Sequence, residues 1–370
     1  MQTYRRGDTG PAVAEIRRNL VLLGLLPDDG ADTFDASCDR AVRAFQQQRG
    51  LTTDGVVGEE TYRALEEARW RLGDRVLSYR ATRPYVGDDV IALQRRLLDL
   101  GFDPGRPDGI FGPQTETALR EFQRNLGLTA DGTCGPATLK ALERLARSVV
   151  GGDAAHIRES EALRRAGPAI AGKLVVVDPG HGGRDRGVCA NDSVEAEIAE
   201  DLAARLEGRL AAAGADVFLT RGPDLTLADG ERAAFANAAE ADLFVSLHTD
   251  GHENPACNGI ATYYYESGDG ASRSTVGRRL ASLIQREIAA RTDLLDCRTH
   301  GKTWDLLRLT RMPAVRVEIG YLTNPGDARR LATAEFRDAV ADGILAAVQR
   351  LYLPAEADPP TGTFTLPEKV

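Results

Sequence analysis

The chain has 370 residues, of which 42% are hydrophobic and 27% are charged, and its formal net charge at pH 7 is −9. This length predicts two or three domains, and the composition excludes a disordered chain. No apolar run reaches about 18 residues, so the sequence predicts no membrane span. The negative charge argues against nucleic acid as the main partner.

The amino terminus and the cysteines bear on the cellular compartment. No apolar run typical of a signal peptide follows residues 1–8, because the first repeat begins at once. The five cysteines are scattered and form no Cys-x-x-Cys pair, which argues against a disulfide framework or a structural zinc knuckle. Both observations predict a cytoplasmic protein, or a cell-wall protein if another route exports it.

An internal repeat occupies the amino-terminal part. Residues 13–65 repeat at 90–142 with a constant offset of 77 and no gap, which indicates a duplicated domain. Apolar residues recur at three- and four-residue spacing from Val90 to Leu100, and Gly101 then ends the helix. Asp-Gly pairs mark the later turns. The sequence therefore predicts two small all-α units of three short helices each, at residues 6–67 and 83–146.

The remaining chain has a different pattern. Residues 147–172 are rich in Gly, Ala and charge and predict a linker, with a short helix at 157–165. From 173 to 353, strand-like runs alternate with helical stretches, which predicts an α/β sheet covered by helices. The predicted strands are 174–177, 216–220, 243–247, 259–265 and 314–319, and the predicted helices are 194–212, 230–239, 274–291 and 327–352. The proline-rich residues 354–370 predict a flexible tail.

Four residues stand where a strand ends or a helix begins. His181, His248 and Glu318 each close an apolar run, and Glu195 opens the helix predicted at 194–212. Two imidazoles and one carboxylate form an open catalytic Zn²⁺ site with water in the fourth position. A second carboxylate can take a proton from that water and pass it to a leaving group. The pattern therefore predicts a hydrolase with zinc as its cofactor.

Glu195 has three acidic neighbours, Glu197, Glu200 and Asp201, any of which could substitute for it. At roughly 100° per residue, Glu195 falls within about 60° of Ile198, which belongs to the buried stripe of the helix. Glu200 points to the opposite side and Glu197 to the flank. Asp201 lies near the stripe but about two turns further along. Helix geometry therefore favours Glu195.

The second repeat resembles the peptidoglycan-binding-1 domain throughout. The matching residues are Gly87, Val90, Leu93-Gln94, Leu100-Gly101, Asp108-Gly109-x-Phe111-Gly112, Thr115, Phe122-Gln123, Gly127-Leu128 and Asp131-Gly132. The first repeat departs from this pattern in two places. It has Ile16-Arg17 where the second has Leu93-Gln94, and residues 31–35 (ADTFD) stand where the second has 108–112 (DGIFG). The resemblance implies that the repeats bind peptidoglycan or its muropeptide or precursor fragments.

The carboxy-terminal domain contains six characteristic stretches: 177–183 (VDPGHGG), 219–221 (LTR), Arg232 with Asn237, 241–248 (ADLFVSLH), 312–315 (MPAV) and 317–324 (VEIGYLTN). In these stretches it resembles the amidase-3 family of zinc-dependent N-acetylmuramoyl-L-alanine amidases. The resemblance implies a mixed sheet flanked by helices, with zinc at the carboxy-terminal edge of the strands. It implies His181, Glu195 and His248 as metal ligands and Glu318 as the catalytic glutamate. The substrate implied is the amide between N-acetylmuramic acid and L-alanine.

Several positions near these motifs stay open. Thr249-Asp250 follows His248 where the family commonly has a small residue and Asn, so Asp250 is either a further acid in the cleft or a turn residue. His252 and His300 are predicted to be solvated loop side chains. Residues 304–310 match a family strand that leads to the catalytic glutamate. The sequence designates no substrate-binding residue.

The domain order and the tail also resemble those of actinobacterial amidase homologues. That resemblance implies a different role, in which a cytoplasmic protein regulates peptidoglycan precursor synthesis. The implied partner is a precursor-synthesis enzyme such as UDP-N-acetylglucosamine enolpyruvyl transferase, and the zinc site would then be vestigial or structural. Thr361, Thr363 and Thr365 surround Phe364 in the tail, where a phosphate would add about two negative charges. The tail is either a regulatory contact or a frayed terminus without a role.

Overall fold

The computed structural model of the chain describes residues 2–146, 154–267, 272–354 and 357–363. The chain divides into two compact units. The first comprises residues 1–158 with 267–272, and the second comprises 159–266 with 273–370. In the described ranges no helix is long and apolar enough to cross a membrane.

The first unit contains two three-helix repeats, as predicted. The first repeat consists of α1 (Pro11–Leu22), α2 (Ala36–Gln48) and α3 (Glu59–Ala68), and the second of α4 (Asp88–Asp99), α5 (Pro113–Asn125) and α6 (Pro136–Ala146). Each repeat buries its own apolar cluster around two phenylalanines, Phe34 and Phe45 in the first and Phe111 and Phe122 in the second. Because each cluster is separate, each repeat has a core of its own.

A buried glutamine holds an Asp-Gly turn in both repeats. The amide nitrogen of Gln123 donates to Asp131 at 2.8 Å and to Thr138 at 3.0 Å, and its oxygen accepts from the Gly132 N–H. Gln46 makes the equivalent contacts in the first repeat. These bonds satisfy every polar group of a side chain that would be costly to bury otherwise.

The departure of the first repeat from the family pattern has a structural counterpart. In the second repeat, Gln94 holds a further Asp-Gly turn through the Gly109 N–H. The position equivalent to Gln94 is Arg17, whose guanidinium pairs with Asp29 and Asp35. Ion pairs of an arginine therefore replace the hydrogen bonds of a glutamine amide, and the three-helix fold is the same.

The second unit is an α/β domain built on a mixed sheet, which confirms the predicted fold class. Its strands are β1 (Leu174–Pro179), β2 (Cys189–Ala190), β3 (Ser193–Val194), β4 (Asp216–Leu219), β5 (Leu243–Asp250), β6 (Ile260–Tyr265), β7 (Asp296–Lys302) and β8 (Ala314–Tyr321). The six-stranded sheet has the order β4-β1-β5-β8-β6-β7. Strands β4, β1, β5 and β8 are parallel, whereas β6 runs antiparallel to β8 and parallel to β7. Strands β2 and β3 form a separate antiparallel pair.

Helices cover the two faces of this sheet unequally. The helices are α7 (Ala154–Arg165), which spans the boundary between the units, α8 (Glu195–Ala212), α9 (Asp229–Ala238), α10 (Thr275–Arg291), α11 (Asp305–Leu309), α12 (Pro325–Leu331) and α13 (Ala334–Tyr352). One face buries its apolar side chains against α8, α10 and α13. The other face packs Val176, Phe244 and Ala314 against α9 and α11. Side chains alternate along a strand. The residues two and four positions after Val176, Phe244 and Ala314 therefore point to this same face, and they include polar residues of the candidate functional site.

Two predicted elements differ from the structure, and strands β2, β3 and β7 are additional to the prediction. Strand β7 was not predicted, because its residues 296–302 lack an apolar alternation. The segment 304–310, expected as a strand, forms the short helix α11. Asn237 of α9 holds the end of this helix, donating to the Leu309 carbonyl and accepting from the Arg311 N–H. The single helix predicted at 327–352 is two helices, since Thr333 accepts from the Phe336 N–H and begins α13.

Residues 357–363, in the first half of the predicted tail, contact α10 and α13. The Arg350 guanidinium of α13 pairs with Asp358 at 2.6 Å and with the fully buried Glu287 of α10. The Gly362 N–H donates to the same Glu287 carboxylate at 3.2 Å. The predicted regulatory residues Phe364 and Thr365 lie outside the described residues.

Candidate functional site

The site begins with the turn that follows β1. Asp178 is fully buried near the end of the strand and accepts hydrogen bonds from Thr220, Ser246 and Arg232. Arg232, on α9, also donates to the carbonyls of Pro179 and His181, both at 2.8 Å. The buried carboxylate and arginine therefore hold the backbone on both sides of the turn.

A second arginine secures the same turn. Arg221 follows β4 and donates to the carbonyls of Pro179 at 2.9 Å and Gly180 at 2.8 Å. His181 adopts a φ of 55°, a left-handed conformation that is uncommon for a residue other than glycine. At Gly180, a Cβ atom would lie 2.3 Å from the His248 ring. The turn thus brings its backbone against one histidine while it presents the other.

Three of the four predicted site residues meet at one carboxylate. Glu195 is the first residue of α8, and its Oε1 lies 3.1 Å from His181 Nε2 and 2.9 Å from His248 Nδ1. Among the residues that the structure describes, these three side chains form the group whose donor atoms all lie within 4.8 Å of one another. The Thr249 and Val188 N–H groups donate to the same carboxylate.

The charges at this group suit a neutral histidine beside an ionised carboxylate. Burial alone would raise the pKa of Glu195, but hydrogen bonds with both imidazoles outweigh it and hold that pKa well below its ordinary value. Burial, together with the nearby charge of Arg316, lowers the pKa of His248 to about 4. The hydrogen bond with Glu195 raises the pKa of His181, although burial opposes this.

Asp185 orients His181, and sequence reasoning missed it. Its carboxylate oxygen lies 2.8 Å from His181 Nδ1. A carboxylate only accepts hydrogen bonds, so the contact with Asp185 places a proton on Nδ1 and leaves Nε2 as the nitrogen that would bind a metal. Such carboxylate partners are typical of metal-ligating histidines. The sequence did contain a signal for this role, because Asp185 is an acid four residues after His181 in a Gly-rich turn.

The fourth predicted residue, Glu318, lies on β8 directly opposite His248 of β5. Its Oε1 accepts from Nε of Arg316 at 2.7 Å and lies 2.6 Å from Nη2 of the same arginine. Its Oε2 is buried and has no hydrogen-bond partner among the described residues. Burial raises the pKa of Glu318 to about 7, while the charge of Arg316 opposes the rise.

The alternative acids lie elsewhere. Glu197 pairs with Arg186 at the surface, and Asp201 pairs with Arg205 and Arg337. Asp250 caps its own turn through the Gly251 N–H, and its charge contributes to the raised pKa of Glu318. It is therefore both a turn residue and an acid at the rim of the site.

The loop histidines make local contacts. The His252 ring accepts from the backbone N–H of Asn254, and the exposed His300 ring faces the Cys297 carbonyl. Neither belongs to the group formed by His181, Glu195 and His248.

The residues fit a bound divalent transition metal. Two imidazole nitrogens and one carboxylate oxygen are a donor set typical of catalytic zinc, whose tetrahedral bonds of about 2.0–2.2 Å space the donors by about 3.3 Å. The distances of 3.1 and 2.9 Å at Glu195 are on that scale. Glu318 adds a buried acceptor oxygen beside the group. The fold and this donor set together are typical of a metal-dependent hydrolase.

Comparisons with known proteins agree with this class. Residues 175–350 match the N-acetylmuramoyl-L-alanine amidase family, and residues 9–65 and 86–142 each match the putative peptidoglycan binding domain. The chain is 52% identical to the N-acetylmuramoyl-L-alanine amidase CwlM of Mycobacterium tuberculosis, over 98% of this chain and 93% of that protein. It is 34% identical to the N-acetylmuramoyl-L-alanine amidase LytC of Bacillus subtilis, over 47% of this chain and 34% of that protein.

The chain therefore belongs to the N-acetylmuramoyl-L-alanine amidases, an enzyme family, and carries two peptidoglycan-binding domains. CwlM is the actinobacterial amidase homologue that this chain resembles in its domain order and its tail. Among solved structures, the N-acetylmuramoyl-L-alanine amidase of Clostridium difficile 630 matches 48% of this chain and 95% of that chain, with 28% identity and a TM-score of 0.45.

Proposed function

We propose that the chain is a zinc-dependent N-acetylmuramoyl-L-alanine amidase that hydrolyses the amide between N-acetylmuramic acid and L-alanine in peptidoglycan. The observation that carries the proposal is the meeting of His181, Glu195 and His248 beside Glu318, in a chain of this family. In this proposal the first three residues hold zinc. When bound, zinc polarises the scissile carbonyl and lowers the pKa of its water.

Glu318 supplies the proton transfers. Its free Oε2 accepts a proton from the attacking water as the water oxygen bonds to the lactyl carbonyl carbon. The same carboxyl group then returns the proton to the alanine nitrogen as the carbon–nitrogen bond breaks. The products are a muramic acid carboxylate and a peptide with a free amino-terminal L-alanine. A pKa near 7 suits a group that must both accept and donate a proton at neutral pH.

The surrounding residues keep this geometry. Asp185 holds His181 with Nε2 toward the group, and Arg221 and Arg232 hold the backbone of the turn. All three act on the position of the first histidine and touch no substrate atom in this proposal. Hydrogen bonds from the surrounding residues hold the metal ligands in place and keep such a site rigid.

We propose that the repeats bind the glycan or peptide polymer and so raise its concentration near the site. The match of both repeats to the putative peptidoglycan binding domain supports this. Linking a binding module to a catalytic domain makes the second encounter intramolecular. Removing residues 2–146 should then reduce hydrolysis of insoluble sacculi more than hydrolysis of a small soluble muropeptide.

The replacement Glu318→Gln tests the catalytic role. Glutamine keeps the shape but cannot accept the water proton, so we expect normal zinc content and hydrolysis slower by about 10²–10⁴-fold. The assay is mass spectrometry of a defined muropeptide, in which hydrolysis releases the stem peptide. The matched control is Glu197→Gln, which alters an exposed glutamate of the same helix as Glu195 and should leave the rate unchanged.

The outcome for the unaltered chain decides between the two functions predicted from the sequence. Zinc-loaded protein that cleaves the muropeptide supports the amidase. If it cleaves neither muropeptides nor sacculi while binding zinc, the regulatory role in precursor synthesis becomes the better hypothesis, and binding to a precursor-synthesis enzyme is then the property to measure.

A further inference from the structure

Arg316 is a half-buried cation directly beside the proposed base, and no sequence motif pointed to it. It stands two residues before Glu318 on β8, so both side chains point to the same face of the sheet. Its guanidinium contacts a single carboxylate oxygen, Oε1, through Nε at 2.7 Å and Nη2 at 2.6 Å. The side chains of Arg316 and Glu318 are only 22% and 7% exposed.

Arg316 is itself held on several sides. In the sheet it lies between Ser246 of β5 and Tyr263 of β6. Its guanidinium carbon is 4.9 Å from the centre of the Trp304 ring, a distance at which a cation is attracted to an aromatic face. The Asp229 carboxylate, at the start of α9, also attracts it electrostatically. These contacts leave the guanidinium little freedom to turn.

The contact makes the two oxygens of Glu318 unequal. Oε1 accepts from the arginine, while Oε2 is buried and has no hydrogen-bond partner among the described residues. A glutamate side chain has three torsions and several rotamers, and an unrestrained one would present either oxygen to the site. The contact with Arg316 restricts this freedom, because two nitrogens of a rigid planar guanidinium hold the same oxygen, Oε1.

Resting on the amidase function proposed above, we propose that Arg316 is a positioning residue that fixes Glu318 with Oε2 as the proton-accepting oxygen. Stability alone does not account for the pair, since buried ion pairs are often no more stabilising than apolar residues of the same size. Orientation matters more, because misplacing a catalytic group by about 1 Å costs about 100-fold in rate.

Two replacements test the proposal in the full-length, zinc-loaded chain. Arg316→Met keeps the length of the side chain and removes the fork, so kcat for a soluble muropeptide should fall about 10- to 100-fold. KM and zinc content should change less than about twofold, because the arginine touches neither substrate nor ligand in this proposal. Arg316→Lys keeps one charged donor and should restore part of kcat. Arg330→Met, which alters an arginine paired with exposed Asp293, is the control.

Other outcomes would overturn the proposal. A raised KM with unchanged kcat would show that Arg316 binds substrate. A raised kcat in Arg316→Met would show that Arg316 hinders Glu318 as the base. Failure of the unaltered chain to hydrolyse any muropeptide would instead refute the amidase function. In that event, crystal structures of the unaltered and Arg316→Met chains decide the positioning role. Several orientations of Glu318 in the variant support it, and one unchanged orientation refutes it.

Discussion

The contact between residues 357–363 and the catalytic domain leads to a prediction about truncation. Glu287 and Arg350 form a buried pair that joins α10 to α13, with side chains 0% and 4% exposed. Asp358 and Gly362 supply further hydrogen bonds to this pair. Deleting residues 358–370 should therefore destabilise the domain, whereas deleting residues 364–370 should leave these contacts intact.

The expected loss is counted from the two hydrogen bonds of Asp358 and Gly362, since the third, from Arg350 to Thr361, is the longest at 3.3 Å. Hydrogen bonds to charged groups contribute about 1.5–3 kcal/mol each. Asp358 is 25% exposed, and water would replace part of what the tail provides, so we take the lower end and expect a loss of about 3 kcal/mol in total. A domain of this size loses about 2–4 °C of Tm per kcal/mol, which predicts a decrease of about 6–12 °C.

Thermal unfolding followed by circular dichroism, on the full chain and both truncations, measures this effect. The longer deletion should unfold earlier, and the shorter one should match the full chain within about 1 °C. Equal Tm values for all three proteins would show that the contacts with Glu287 and Arg350 contribute nothing, which would refute the argument.

The predicted regulatory role of the tail is best tested with the shorter deletion, since weaker partner binding or altered precursor flux would then not reflect lost stability. Partner binding and precursor flux unchanged by that deletion would indicate a terminus without a role.

Three further predictions concern the metal group. The chain should bind about one Zn²⁺, and His181→Ala or His248→Ala should abolish this binding, as measured by metal analysis after dialysis. Full zinc occupancy in the double variant would refute the assignment of these histidines as ligands. Gly180→Ala should also lose zinc, because its Cβ would lie 2.3 Å from the His248 ring; normal zinc binding would show that the turn can relax. Asp185→Asn should weaken zinc binding by about 10- to 100-fold in a chelator competition, and an unchanged affinity would exclude an orienting role.

Local sequence patterns were sufficient for the repeats and for much of the second unit. The offset of 77 residues and the three- and four-residue spacing predicted two three-helix repeats, and both are confirmed. The residues that close apolar runs also pointed to one place. The resemblance to the amidase-3 family implied zinc at the carboxy-terminal edge of the strands, which is where His181 after β1 and His248 on β5 lie. Helix periodicity chose Glu195 over its acidic neighbours, and Glu195 is the acid that contacts both histidines.

Elements with weak local signals depended on tertiary contacts. Strand β7 has no apolar alternation and pairs only along one side, with β6. The helix α11 is ended by a side chain from α9, far away in sequence. The antiparallel direction of β6 beside β8 is a property of chain connections, which residue patterns within a strand do not encode.

The polar contacts around the site were likewise decided only by the fold. Arg232 meets Asp178 across 54 positions of sequence, and Arg221 meets Gly180 across 41. The spacing of Arg316 and Glu318 placed them on one face, but the Trp304 ring against Arg316 and Tyr263 beside it come from neighbouring elements. Sequence periodicity determines which way a side chain points within its own helix or strand, because that follows from backbone geometry. Which partner it meets there depends on the packing of distant segments, and only the tertiary structure decides that.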